Sequence, residues 1–111
     1  MSTLFTKIID GEIPADFVYQ DDQLVVIKDI NPKAAVHVLM IPRKPIINLD
    51  DLEESDHVLI GDMMMKIPEI AAQLGLQDGY RTIINTGKGG GQEVFHLHIH
   101  ILGGGSTLPF A

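Results

Sequence analysis

The chain has no cysteine and no tryptophan, eight basic residues against fifteen acidic ones, and only 5% aromatic residues across 111 positions. Without cysteine there is no disulfide, no thiolate nucleophile and no cysteine-type zinc site. The formal net charge of −7 argues against a nucleic-acid partner, because affinity for that backbone depends on Lys and Arg neutralising phosphates. A small anion is still allowed, since a few local donors can outweigh the long-range field. No apolar run approaches the ~18 residues of a membrane span, and residues 1–12 hold neither a basic stretch nor a long apolar one. The expectation is a cytoplasmic protein with no membrane partner. A hydrophobic fraction of 45% suits one aliphatic core and a single domain, residues 1–111.

What is present alternates between short β-type runs and two helical ones. Ser2 or Thr3 can cap a helix through Leu4, Phe5, Lys7 and Ile8 that stops at Asp10 and Gly11. Residues 17–20 and 24–28 read as strands joined by a tight turn at Asp21-Asp22-Gln23, and residues 36–42 as a third. Ser55 is a plausible N-cap for a second helix, with Ile60, Met63, Met64, Ile67, Ala71 and Leu74 at helical spacing and Gly75 at its end. Pro68 is expected to kink or split that helix, and the run Met63, Met64, Met65 to fill core. Residues 80–85 and 94–102 are the fourth and fifth strands. Strands adjacent in sequence rather than alternating with crossover helices indicate an α+β antiparallel sheet.

The fifth strand carries His96, His98 and His100 at a spacing of two. Alternation along a strand puts these rings on one face and Phe95, Leu97, Ile99 and Ile101 on the other, so one face can do chemistry while the other is core. Two chemistries compete. With His37 the imidazoles could bind zinc and leave a position open; alternatively, one imidazole could attack phosphorus while its neighbours hold the oxyanion. The glycine-rich loop 86–93 leads directly into the histidines. Its glycines let backbone N–H groups approach a phosphate, Lys88 adds a cation, and Asn85 a neutral amide donor, which favours phosphate over metal.

These residues resemble the histidine triad (HIT) superfamily, and within it the Hint-like branch of purine nucleoside phosphoramidases in its bacterial form. The run His96-Leu97-His98-Ile99-His100-Ile101-Leu102 fits the family signature. Residues 5–14, Asp29 with Ile30, His37, Ile41-Pro42, residues 78–80 and residues 85–96 extend the likeness over nearly the whole chain. The resemblance implies a five-stranded antiparallel sheet with two helices, a homodimer, and hydrolysis of the P–N bond of a purine nucleoside 5′-phosphoramidate through a nucleotidyl-histidine. By position it makes His98 the nucleophile, His96 and His100 the flanking histidines, and His37 a fourth one near the α-phosphate. Asp29 is matched to the ribose hydroxyls. Leu4, Phe5, Ile8, Ile27, Ile30 and Leu39 are matched to the purine slot, and Asn85 with the backbone of Gly91, Gln92, Glu93 and Val94 to the phosphate cradle. His57 matches nothing catalytic.

No cofactor or metal is implied. Three departures bear on the leaving group: Glu93 stands where many such proteins carry serine, Pro45 where some have a further histidine, and the tail Leu108-Pro109-Phe110-Ala111 is short and lacks tryptophan. Two other readings remain: a dinucleoside polyphosphate hydrolase, for which the chain offers little cationic help, and a non-catalytic nucleotide-binding module.

Overall fold

Leu24, Val25, Val26 and Ile27 are all buried, although neighbouring side chains on a strand point to opposite faces. Such a strand is stable only in the middle of a sheet covered on both sides. The structure, a computed structural model describing residues 2–105, has that form. Strands β1 (Phe17–Gln20), β2 (Leu24–Lys28), β3 (Val36–Pro42), β4 (Tyr80–Ile83) and β5 (Ile99–Gly103) make one sheet in the order β1-β2-β3-β5-β4, with every neighbouring pair antiparallel. Helix α2 (His57–Gln73) covers one face and α1 (Leu4–Ile9) part of the other.

Residue parity assigns the faces. Leu24, Val26, Val38, Met40, Ile99 and Ile101 pack with Met63, Ile67, Ile70 and Ala71 of α2, and burying each of the larger of these side chains contributes about 1.5–3 kcal/mol. Val25, Ile27, Leu39 and Ile41 pack with Phe5 and Ile8 of α1. The register that pairs Leu39 with His100 and His37 with Leu102 puts those histidines on the α1 face. Because α1 has only six residues, it leaves the rest of that face as an open cleft. A reciprocal pair of bonds between Thr3 and Thr6 caps it: each backbone N–H donates to the other's hydroxyl.

Several local expectations are corrected. Strand β5 starts at Ile99, not at residue 94. The Leu97 N–H instead donates to the Ile46 carbonyl at 2.7 Å, which ties the preceding segment to the chain after β3. Phe95 therefore lies exposed rather than in the core, while Leu97, Ile99 and Ile101 are buried as alternation requires. Strand β4 ends at Ile83 rather than residue 85. A 3-10 turn over Glu54–Asp56 precedes α2, so Asp56 rather than Ser55 is its N-cap. The Asp56 carboxylate is buried, accepts from the Glu53 N–H and pairs with Lys44. Pro68 does not split α2, which runs unbroken from His57 to Gln73. Of the three methionines only Met63 is core; Met64 and Met65 are exposed. The tail from Leu108 to Ala111 lies outside the described residues. A Cβ on Gly103 would stand 2.9 Å from the Leu76 side chain and 3.1 Å from the Gly79 carbonyl, so glycine is needed where β5 passes beneath that turn.

Candidate active site

The cleft beside α1 has a volume of about 670 Å³, within the usual range for small-molecule sites. Its apolar end is walled by Leu4, Phe5, Ile8, Ile27, Ile30 and Leu39, all six residues assigned to a purine slot by resemblance. Its polar end holds His37, His98, His100, Asp29, Asn85, Gly91, Glu93 and Val94. Two assigned residues are not in the wall. His96 is buried behind it, with Nε2 2.7 Å from the Pro42 carbonyl oxygen. Gln92 is buried as a bracket: its Oε1 accepts from the Gly87 N–H and from Asn48, and its Nε2 donates to the carbonyls of Ile47 and Val94. The alternating histidines thus divide: His98 and His100 face the cleft, and His96 is part of the frame. His57 is exposed on α2.

The rings that face the cleft are in mutual contact. The centroids of His98 and His100 are 5.1 Å apart, those of His37 and His100 5.2 Å, and Phe5 meets His98 edge-on at 4.9 Å. His98 Nδ1 lies 2.7 Å from the His96 carbonyl oxygen. A carbonyl only accepts, so Nδ1 carries the proton and Nε2 keeps a free lone pair. Burial lowers the pKa of His98, against the opposing effects of the His96 carbonyl and Asp29. Burial, and then the neighbouring His98 and His37, push His100 down to about 4. His37 is likewise lowered, chiefly by burial. All three rings are therefore neutral at pH 7, and a neutral imidazole is the form that can act as nucleophile.

Asp29 divides its carboxylate. Oδ1 accepts the Asn31 N–H at 2.7 Å and Oδ2 lies 3.5 Å from His37 Nε2. Asn85 Nδ2 donates to the Gly90 carbonyl at 2.8 Å. Gly91 has φ +85°, which favours glycine, and it sits 3.5 Å, as measured from an ideal Cβ, from that same amide. The loop expected to cradle phosphate is thus held in place by Asn85, two residues past the end of β4, and by Gln92 from within. Among the described residues one trio has donor atoms close enough to share a metal ion, Asp29, His37 and His100, within 4.8 Å of one another. That trio is not the alternating His96, His98, His100 set.

The cleft also takes in residues that no sequence pattern marked for it: Lys28, Asn31 and Lys33 near the β2–β3 connection, and Arg81, Ile83 and Leu102 on the sheet. The last three were findable. Arg81, Ile83 and Asn85 alternate, and pairing of Ile83 with His100 and Arg81 with Leu102 carries the histidine face onto β4.

An antiparallel α+β sheet with a helix on each face and a cluster of neutral histidines at the polar end of an aliphatic cleft defines the class of the protein. A family model described as "HIT domain" matches residues 10–107, and the chain belongs to the HIT domain family. It is 55% identical over 100 residues to the protein HitA of Neisseria gonorrhoeae, covering 90% of this chain and 94% of that one. Among solved structures it resembles a HIT family hydrolase from Clostridium thermocellum with a TM-score of 0.92 and 43% identity, over 98% of this chain and 96% of that one. It also resembles a histidine triad nucleotide-binding protein from Candida albicans, with a TM-score of 0.81 and 27% identity over 99% and 86% of the two chains.

Proposed function

We propose that the protein is a hydrolase of the Hint-like branch that cleaves the P–N bond of purine nucleoside 5′-phosphoramidates. The observation that carries this reading is the His98 ring in the cleft wall, neutral and with Nε2 unprotonated. Nε2 forms a bond to the α-phosphorus as the bond to the leaving amine breaks, and the departing nitrogen takes a proton from solvent. Water then cleaves the nucleotidyl-histidine, returning His98 and releasing the nucleoside monophosphate. His100 and the backbone of the 91–94 segment offer donors to the phosphate, with His37 holding His100 from behind; Asp29 takes the ribose hydroxyls and the aliphatic end takes the base. The hydrolase likeness from C. thermocellum and the nucleotide-binding likeness from C. albicans support the reaction class and the ligand class.

A cytoplasmic homodimer completes the proposal. Val58 and Met65 of α2 and Tyr80 on the edge strand β4 are exposed apolar or aromatic side chains suited to a partner surface. Among the described residues no helix is long and apolar enough to cross a membrane.

A second reading gains support from the cleft's charges. Lys28, Lys33 and Arg81 border it, more cations than the sequence suggested, and these suit a dinucleoside polyphosphate whose leaving group is anionic. Glu93 in the same wall opposes that group. Incubation with adenosine 5′-phosphoramidate, diadenosine polyphosphate and AMP distinguishes the readings. Consumption of the phosphoramidate at the highest kcat/KM is expected; preference for the polyphosphate would transfer the assignment, and binding of AMP with no turnover of either would leave a binding module.

A further inference from the structure

The hydrogen bonds around His37 run in one direction. The backbone N–H of Lys33 lies 3.0 Å from His37 Nδ1. A backbone amide can only donate, so this nitrogen must be the acceptor and, in the neutral ring, Nε2 must carry the proton. His37 Nε2 lies 2.9 Å from His100 Nδ1, with Asp29 Oδ2 farther away at 3.5 Å. The His37 proton is thus shared first with His100, whose Nδ1 accepts. The remaining proton of His100 is then on Nε2.

We propose that Lys33 is a positioning residue whose backbone N–H, by occupying His37 Nδ1, fixes His100 as the Nε2–H tautomer beside a His98 fixed as the Nδ1–H tautomer. One amide and one carbonyl, Lys33 N–H and His96 C=O, thereby give two adjacent histidines opposite faces: a lone pair at His98 Nε2 and a hydrogen-bond donor at His100 Nε2. Neither ring has to rearrange before reaction. A doubly protonated His37 would set N–H against N–H at Lys33, and burial separately lowers the pKa of that ring, with the Lys33 charge acting the same way and Asp29 opposing. The same arrangement turns a hydrogen rather than a lone pair of His37 into the trio with Asp29 and His100, so those three groups are poorly set for a metal despite their spacing.

The catalytic consequence rests on the histidine-nucleophile reading above; the ring tautomers do not. They are read from long-range proton–nitrogen correlation spectra of the whole protein labelled with 15N-histidine at neutral pH. The expected pattern is a protonated Nε2 on His37 and His100 and a protonated Nδ1 on His98. A proton on Nδ1 of His37 or of His100 overturns the proposal. Replacement of the Lys33 amide by an ester, through the α-hydroxy analogue of lysine, then deletes the one N–H. This should give mixed tautomers at His37 and His100 and lower kcat for the phosphoramidate at least tenfold with KM within about threefold, whereas Lys33→Ala, which keeps the amide, keeps the tautomers. Unchanged tautomers in the ester protein would refute the role of Lys33. Expected tautomers without phosphoramidate turnover would leave the Lys33 assignment standing and remove the proposed function; a His98 adduct with the wrong His100 tautomer would do the reverse.

Discussion

At the scale of single residues, the site depends on backbone groups that dictate what side chains can do. His98 is set by a carbonyl two residues earlier in its own segment, His96 by the Pro42 carbonyl, and His37 by an amide in the β2–β3 connection. Asp29 is the residue whose role most needs a direct test, because one of its oxygens is already engaged with Asn31. If the other receives the ribose hydroxyls, Asp29→Ala should weaken ribonucleotide binding by about 1.5–3 kcal/mol, the range for hydrogen bonds to a charged group, and cost a 2′,3′-dideoxynucleotide little. Titration calorimetry with both ligands decides it. Equal losses would mean that the carboxylate only holds the turn, and Asp29→Asn, which keeps an acceptor for Asn31, should then bind both like wild type.

At the scale of elements, the loop before β5 is the piece on which the site's shape hangs. Gln92 satisfies four partners from a buried position, two of them backbone carbonyls on different segments. Gln92→Ala should destabilise the protein by roughly 1–3 kcal/mol for each buried group left unsatisfied, seen as a lower urea midpoint, and should lower activity by loosening residues 91–94. A midpoint within error of wild type would show that the bracket is dispensable. The sequence made the strands and both helices legible because period-2 and helical patterns are local, and strands adjacent in sequence indicated an antiparallel sheet though not its order. The family resemblance implied one site for His37, His98, His100 and the aliphatic slot, and these residues line one cleft. The period-2 pattern misplaced Phe95 and His96 because alternation was extended past the point where pairing stops: the Leu97–Ile46 bond lies outside the ladder and has no local signal. Arg81 alternates with Asn85, but that face reaches the cleft only because β4 joins β5 rather than β3; Lys33 lies in the irregular β2–β3 connection, which has no period to read.

At the scale of the whole molecule, four buried or half-buried imidazoles with lowered pKa values make stability depend on pH. In the unfolded chain each takes its proton near pH 6.5; in the folded protein each takes it lower, His100 only at about 4. Between those values the unfolded state holds more protons, so stability falls as pH drops from 6.5 towards 4, by about 1.4 kcal/mol per pH unit for each full proton of difference. Above pH 7 these groups contribute no slope. Denaturant melts at pH 7.5, 6, 5 and 4.5 should show the midpoint declining only below about 6.5, and a midpoint flat across that window would mean the rings are accessible to protons in the fold.

If His98 is the attacking group, as proposed, a covalent adduct forms on its ring and can be trapped. The protein is mixed in excess with adenosine 5′-phosphoramidate, quenched within the first turnover, and mapped by peptide mass spectrometry. The proposed role of His98 requires a single added adenylyl group on that ring, absent from His98→Ala, with turnover in that variant reduced far more than tenfold, which is about 1.4 kcal/mol of barrier. An adenylyl group on any other residue, or His98→Ala turning over within tenfold of wild type, would contradict it.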